Sequence, residues 1–149
     1  MILLDTHVLI WLAQDYQRIS SAARSVIAEA RGKDSALAVC GITLVEIARL
    51  TSSGQIHVTP DPASFLREVE RRFVVLPITA NIALQACSLP AKFPKDPADR
   101  IIAATGLIED IPLVTAEPRN PQIARGTHHL VRKILLNNVI AMACIQPQR

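Results

Sequence analysis

Aromatic side chains are scarce in this 149-residue sequence, which contains three Phe, one Trp and one Tyr. Proteins that bind single-stranded nucleic acids without sequence preference stack successive bases on aromatic rings. An aromatic content of 3% argues against a binder of that kind. The net charge of +3 is mildly basic, so it permits a polyanionic partner without requiring one.

Cysteine and the glycine-rich motifs of nucleotide-binding sites are also sparse. The three cysteines, Cys40, Cys87 and Cys144, lie in apolar surroundings and show no CxxC spacing. We expect them to be small buried hydrophobes in a reducing compartment, not a zinc site or a disulfide framework. The motifs GxGxxG, GxxxxGKS, GxxxxGKT and GxSxG do not occur. A phosphate-binding loop and a hydrolase nucleophile elbow are therefore unsupported.

No hydrophobic run in the sequence has the length of a membrane span. The most apolar segment, 134–145, is interrupted by Asn137 and Asn138, and it is shorter than the roughly 20 residues that a spanning helix needs. Residues 1–4 lead directly to Asp5 without the basic region that begins a signal peptide. We expect a cytoplasmic protein with no membrane association.

Short apolar runs alternate with helical patterns along most of the chain. Half of the residues are hydrophobic and 19% are charged, which is typical of one globular domain with a substantial core. The patterns predict strands at 2–4, 36–40, 73–78 and 112–115, and helices at 6–14, 21–30, 41–51, 63–72, 80–89 and 97–108. This alternation predicts an α/β fold with a mainly parallel sheet. A weak alternation at 138–145 slightly favours a further strand, so four to five short strands are expected.

Residues 95–100 (KDPADR) carry the signature of a helix start. Asp96 can accept a backbone N–H at the N-cap, and Pro97 suits the first helical position. Asp99 occupies the third helical position, where an acid favours the helix dipole. Its helical neighbours are apolar, however, and a carboxylate on a helix-packing face needs a partner. Arg100 is spaced to reach Asp96, so a bound cation is one candidate partner for Asp99.

Further acids are expected near the same place. Asp5 ends the first strand, Glu117 follows the fourth, and Glu46 projects from a largely apolar helix face. Functional sites in parallel sheets form beyond the carboxyl ends of the strands, which is where the helix bearing Asp96 and Asp99 also starts.

Each of these acids also has a purely structural interpretation. Asp5 could cap the helix that follows, Glu46 could pair with Arg49, and Glu117 could be an exposed turn acid. Taken together, several carboxylates in one cleft cannot all ionise without a cation. Ligation by oxygen alone suits Mg²⁺ or Mn²⁺, whereas zinc would need clustered His or Cys.

Basic and histidine side chains give weaker signals. Six residues could hold a phosphate backbone or could be solvated surface charges: Arg18, Arg49, Lys92, Lys95, Arg100 and Arg119. His7 could touch a substrate, although a histidine that enters an apolar helix is more often structural. The remaining histidines, His57, His128 and His129, show no ligand spacing.

Three motifs in this order resemble the PIN domain, and more narrowly the VapC-type toxins of bacterial toxin–antitoxin pairs. They are MILLDTHVLIW at 1–11, ITLVEIAR at 42–49 and DPADRIIAAT at 96–105. The segment PLVTAE at 112–117 also fits, with Glu117 where many relatives carry Asp. The resemblance implies a PIN-like α/β/α sandwich and a Mg²⁺- or Mn²⁺-dependent endoribonuclease. It also implies a homodimer that a cognate antitoxin protein silences through the active-site groove.

The resemblance assigns roles to the residues that match its motifs. Asp5, Glu46, Asp96 and Asp99 would form the catalytic acidic site, with Asp5, Asp96 and Asp99 as metal ligands. Three residues would support the site, namely Thr6, Thr115 and Glu117. Contacts to RNA would come from Arg49, Lys95, Arg100 and Arg119. The reaction would be attack of metal-activated water on an RNA phosphodiester.

The resemblance covers about residues 1–119, which would form the nuclease domain. Residues 120–149 form an atypical extension, expected to pack on the same domain. This extension could be an added element, a dimer or antitoxin contact, or sequence altered by a frameshift. Two other functions remain open. One is a PIN-like nuclease of RNA processing or DNA flaps, and the other is a catalytically silent binding module.

Overall fold

The computed structural model describes residues 1–33, 35–91 and 93–115. Four strands lie in this part of the chain: β1 (Ile2–Leu4), β2 (Leu37–Cys40), β3 (Val74–Leu76) and β4 (Leu113–Val114). Six α-helices accompany them: α1 (Thr6–Gln14), α2 (Ser21–Gly32), α3 (Gly41–Ser52), α4 (Pro62–Arg72), α5 (Ala80–Ser88) and α6 (Pro97–Ile108). A short 3₁₀ turn, Tyr16–Arg18, follows α1. Each strand and helix predicted for these residues is present; β1 has the predicted bounds, and β2, β3 and β4 are shorter than predicted. The strand expected at 138–145 lies outside the described residues.

The four strands form one parallel sheet in the order β3-β2-β1-β4. Leu3 in β1 pairs with Ala38 in β2 on one side and with Leu113 in β4 on the other. Ala38 pairs in turn with Val74 in β3. Because β1 and β2 occupy the centre, both of their faces are covered and their residues form uninterrupted apolar runs. The expectation of an α/β fold with a parallel sheet is confirmed.

Successive residues of each central strand contact opposite helical layers. Ile2 and Leu4 belong to a core built with buried side chains of α1, α2, α3 and α4. Leu3 faces the other layer, where it packs with Ile102 of α6. Helix α5 packs on α6 through Ile82 and Ala104. The result is an α/β/α sandwich whose three layers follow from the two-residue period of a strand.

Two helix starts use the Asp-Pro pattern that the sequence indicated. The Asp61 carboxylate accepts the Ser64 amide at 2.9 Å, and Pro62 occupies the first turn of α4. The Asp96 carboxylate accepts the Ala98 amide at 2.8 Å at the start of α6. The predicted N-caps are therefore confirmed at both positions.

Cysteine burial was predicted correctly for one of the two described cysteines. Cys40 is fully buried at the end of β2, whereas Cys87 is exposed. Ile82 and Ala86 carry the buried face of α5, and Cys87 follows Ala86 by one residue, about 100° further round the helix. The expectation for Cys87 was wrong, while Cys144 lies outside the described residues.

No helix within residues 1–33, 35–91 and 93–115 combines the length and the apolar character needed to cross a membrane.

Candidate active site

Three elements deliver acidic side chains to one edge of the sheet. Asp5 follows β1 directly, and Glu46 lies on α3, which begins where β2 ends. Since β1 and β2 are adjacent and parallel, their carboxyl ends meet at the same edge. Asp96 and Asp99 lie at the start of α6, the helix that leads back into β4. The pKa of Asp99 responds to the charges of the other three acids, so the four carboxylates share one electrostatic environment.

Asp5 occupies the N-cap position of α1 without using its side chain as a cap. Its backbone is extended, and no capping hydrogen bond forms from the carboxylate. The hydroxyl of Thr115 instead donates to Asp5 Oδ2 at 2.9 Å, so the residues after β4 and β1 are joined across the sheet edge. Asp5 is 8% exposed. A buried carboxylate with a partner from another strand is positioned for a role in the site, and the capping interpretation does not hold.

Glu46 is half-buried and accepts a hydrogen bond from Thr6. The distance from Thr6 Oγ1 to Glu46 Oε2 is 2.6 Å. Burial raises the pKa of the Glu46 carboxyl above its usual value, the Thr6 hydrogen bond opposes that shift, and the charges of Asp5 and Asp96 raise the pKa further. Arg49 is exposed, so the pairing of Glu46 with Arg49 is replaced by the contact with Thr6.

A second buried threonine, Thr43, completes a hydroxyl pair behind Glu46. The Oγ1 atoms of Thr6 and Thr43 lie 3.2 Å apart, and both residues are 0% exposed. A hydroxyl carries one proton, and an ionised carboxylate only accepts. Thr6 therefore gives its proton to Glu46, the nearer acceptor, and the Thr43 hydroxyl lies within hydrogen-bond distance of Thr6 Oγ1. Sequence reasoning missed Thr43, although it lies three residues before Glu46 on the same helix, a spacing that places two side chains together.

Asp96 combines capping with exposure. Its Oδ1 atom accepts the amides of Ala98 at 2.8 Å and Asp99 at 3.4 Å, which fixes the carboxylate at the N-terminus of α6. The residue is exposed. The Oδ2 atom takes no part in these two bonds, but it lies in the plane of the same carboxylate group. The cap therefore fixes the direction in which the second oxygen points.

Asp99 is half-buried, and its pKa is raised to about 7. Burial is the largest cause, followed by the charges of Asp5, Asp96 and Glu46, all of which disfavour a fourth negative charge. A cation in this cluster would remove the charge repulsion that raises the pKa of Asp99.

The donor set suits a hard divalent cation, but the acids do not form a closed cage as they stand. Within the part of the chain that the structure describes, no three His, Cys, Asp or Glu side chains converge closely enough to enclose a metal ion. The groups that share the site are carboxylates, the ligand type of Mg²⁺ and Mn²⁺. A cation held here would require the Asp5, Asp96 and Asp99 carboxylates to turn toward one another.

The basic residues named from the sequence behave differently from one another. Arg49 and Lys95 are exposed, as a phosphate contact requires. The expected contact between Arg100 and Asp96 was wrong, because the Arg100 guanidinium donates to backbone carbonyl oxygens. Arg18 is exposed and lies 4.5 Å from the centroid of the Trp11 ring. Lys92, Arg119 and Glu117 lie outside the described residues, as do His128 and His129.

His7 is not a core residue. It is exposed in the first turn of α1, and its charge lowers the pKa of Glu46. The His7 ring centroid lies 6.3 Å from that of Trp11, so a structural contact is present although the side chain is outside the core. The side chain borders the acidic site.

Comparisons with known proteins agree with this geometry. A family model of the PIN domain matches residues 2–126. Ribonuclease VapC22 of Mycobacterium tuberculosis is 36% identical over 118 residues, which are 79% of this chain and 88% of that protein.

Two solved structures show the same fold. A toxin–antitoxin complex from Klebsiella pneumoniae matches with a TM-score of 0.56 at 21% identity, covering 80% of this chain and 88% of that one. VapBC2 from Rickettsia felis, bound to a DNA fragment from its promoter, matches with a TM-score of 0.59 at 18% identity, covering 80% and 90%. With its family model, its relative and its fold in agreement, this chain belongs to the PIN domain family and is of the VapC type.

Proposed function

We propose that this protein is a Mg²⁺- or Mn²⁺-dependent endoribonuclease and the toxin of a toxin–antitoxin pair. The observation that carries the proposal is the placement of Asp5, Glu46, Asp96 and Asp99 at one edge of the sheet, where burial and the charges of the other three acids raise the pKa of Asp99 to about 7. Four acids that destabilise one another at a sheet edge are typical of a cation-binding site. The name of the relative VapC22, a ribonuclease, supports RNA as the substrate.

The proposed metal ligands are Asp5, Asp96 and Asp99. When bound, the cation would stabilise the charge that develops on the phosphodiester and would activate the attacking water. Thr115 orients the Asp5 carboxylate, and the α6 amides orient that of Asp96.

Glu46 is proposed to accept a proton from the attacking water. Thr6 holds one of its oxygens at 2.6 Å, which fixes the direction of the carboxylate. Charge repulsion and burial raise its pKa, which makes it a better proton acceptor than a free carboxylate.

The partners follow from the family and from exposed surfaces. Arg49 and Lys95 are proposed RNA contacts, because both are exposed. A cognate antitoxin is proposed because the two structural neighbours are toxin–antitoxin complexes. A homodimer would cover apolar side chains such as Val45 and Leu84, which are 60% and 68% exposed. We propose a cytoplasmic location, where an RNA substrate would be found. The nuclease domain is proposed to span residues 1–119, with 120–149 packed on it.

RNA cleavage by the purified protein tests the proposal. Cleavage of structured RNA is expected with Mg²⁺ or Mn²⁺ and is expected to stop with a chelator. Asp5→Asn and Asp96→Asn should each lower the rate by about 10²-fold or more, because each removes a charged metal ligand. Glu70→Gln is the matched control, since Glu70 is exposed on α4. Full cleavage by both Asn variants would reject the assigned roles.

Growth of bacteria that express the protein tests the toxin role. Growth arrest is expected, and co-expression of the neighbouring upstream reading frame should reverse it. The Asp5→Asn variant should permit growth at the same expression level. Arrest by that variant would show that toxicity does not come from the acidic site.

A further inference from the structure

The guanidinium of Arg100 lies between the end of α5 and the segment that leads into α6. Its Nε atom donates to the Ala86 carbonyl at 2.9 Å, and its Nη2 atom donates to the Leu89 carbonyl at 2.6 Å. Its Nη1 atom donates to the Pro94 carbonyl at 3.3 Å. Every nitrogen of the guanidinium therefore has a backbone acceptor, and the side chain is half-buried.

These carbonyl acceptors explain why a positively charged side chain is favourable at this position. Ala86 lies in the last turn of α5, where carbonyl oxygens have no partner within the helix. A positive charge there also complements the negative end of the helix dipole. The Arg100 guanidinium carbon lies 5.9 Å from the centroid of the Phe93 ring, and Phe93 is 8% exposed. The guanidinium is thus held by a helix end, a turn and a ring.

The segment that Arg100 holds leads directly to the acidic site. Pro94 precedes Asp96 by two residues, and Arg100 follows Asp96 by four on α6. The Arg100 side chain therefore joins three parts of the chain: the residues before the Asp96 N-cap, the first turns of α6, and the end of α5. The Asp96 carboxylate, which accepts the amides of Ala98 and Asp99, lies within the segment that this side chain spans.

We propose that Arg100 is a positioning residue that fixes Asp96 and Asp99 for cation binding and does not contact RNA phosphate. The proposal rests on the nuclease function proposed above. Moving the guanidinium to a phosphate would leave three backbone carbonyl oxygens without this donor, two of them on the buried residues Ala86 and Leu89. The planar fork of an arginine suits three separate acceptors, whereas a lysine ammonium is a single compact donor.

The magnesium requirement of RNA cleavage gives the first test. In Arg100→Met, kcat should fall by about tenfold, and the Mg²⁺ concentration for half-maximal activity should rise about fivefold, because misplaced ligands bind the cation less tightly. The KM for RNA should stay within about twofold. Arg100→Lys should recover part of both losses. Arg71→Met is the control, because Arg71 is exposed on α4 and pairs with Glu68, and it should match the wild type.

RNA binding without cleavage separates positioning from phosphate contact. In the Asp5→Asn background and in EDTA, Arg100→Met should leave RNA affinity and its salt dependence unchanged. A phosphate contact would instead lower the slope of log affinity against log salt by about 0.7–0.9. The exposed Lys95 provides the comparison, since Lys95→Met should reduce that slope. A reduced slope in Arg100→Met would overturn the proposal.

Hydrogen exchange tests the positioning whether or not the protein cleaves RNA. The amides of Ala98 and Asp99 donate to Asp96, and that of Leu3 donates to the Pro112 carbonyl in the sheet. In Arg100→Met, exchange at Ala98 and Asp99 should accelerate by about tenfold, and in Arg100→Lys by less, while exchange at Leu3 should not change in either variant. Equal acceleration at all three amides would indicate a purely global effect and reject the proposal. An inactive wild type with this local acceleration would reject the nuclease function alone.

Discussion

Thr6 and Glu46, 40 residues apart in sequence, are joined by a hydrogen bond of 2.6 Å from the threonine hydroxyl to Glu46 Oε2. The contact links the first turn of α1 to the middle of α3, so it fixes one acid of the site relative to β1. The Oγ1 atom of Thr43 lies 3.2 Å from that of Thr6, and Thr43 is fully buried. The two hydroxyls and the carboxylate form one polar cluster that joins α1 to α3.

Thr43→Val is expected to weaken the proposed nuclease with little change in volume. The variant removes the hydroxyl that contacts Thr6, and we expect a loss of about 1 kcal/mol in the free energy of unfolding. We also expect kcat to fall by about three- to tenfold at unchanged KM, because Glu46 loses its fixed direction. Urea unfolding and steady-state RNA cleavage measure the two effects.

Two further variants control the Thr43 experiment. Thr43→Ser keeps the hydroxyl and should retain most of the activity. Thr51 lies on the same helix, and its hydroxyl donates to the carbonyls of Ile47 and Ala48, each at 2.9 Å. Thr51→Val should leave kcat at the wild-type value. An equal loss in Thr51→Val would show that helix α3, and not the hydroxyl pair, accounts for the effect.

Thr115→Val should disturb Asp5 in the same way. The Thr115 hydroxyl donates to Asp5 Oδ2 at 2.9 Å, across the edge between β4 and β1. Without that donor, the Asp5 carboxylate can rotate, and we expect cleavage to fall by about tenfold if Asp5 is the metal ligand proposed above. Thr115→Ser should recover the activity. Wild-type activity in Thr115→Val would mean that burial alone orients Asp5.

The sequence predicts local structure well here because the signals are local. Asp61 and Asp96, each followed by proline, mark helix starts within the range of one turn, and both caps are present. The four acids were found because strand ends and helix faces are readable from spacing. The assignment of their catalytic roles is still a prediction.

Arg100 and Cys87 show where sequence reasoning fails. The expected partner of Arg100 was four residues away, but its acceptors include the Ala86 carbonyl, 14 residues away. Backbone carbonyls that a helix end leaves unpaired carry no sequence signature, so such partners emerge only from the fold. Cys87 lies in an apolar segment, but the face of α5 that packs on α6 excludes it. Composition alone does not reveal which face of a helix is covered.

Without a metal ion, the free energy of unfolding should decrease as pH rises between the pKa of Asp99 in the unfolded chain and its pKa in the folded protein. Its pKa is about 7 in the folded protein, against 3.8 for the free group. The folded state binds more protons than the unfolded state between these values, so the free energy of unfolding decreases as pH rises and levels off above about pH 7. Glu46 acts in the same direction, because its pKa is also raised. Solvent screening at this half-buried site limits the Asp99 contribution to about 1–2 kcal/mol.

Asp99→Asn isolates this contribution. The variant keeps the shape of the side chain without a titrating charge, so in EDTA it should be more stable than the wild type at pH 8 and nearly equal at pH 4.5. Urea denaturation at both values measures the difference, with the exposed Glu70→Gln as control. Equal pH dependence in the wild type and Asp99→Asn would show that folding does not raise the pKa of Asp99.

Mg²⁺ should reverse the loss of stability at high pH. A ligand that binds only the folded state at ten times its dissociation constant adds about 1.4 kcal/mol to the free energy of unfolding, which corresponds to a rise in Tm of about 3–6 °C for a domain of this size. The rise should be larger at pH 8 than at pH 5, because protons compete for Asp99 at the lower pH. Asp96→Asn and Asp99→Asn should each lose most of it, and KCl at the same ionic strength should not reproduce it. A rise in both variants equal to that of the wild type would place the cation away from these two acids. The mutual repulsion of the carboxylates at this sheet edge would then need another explanation.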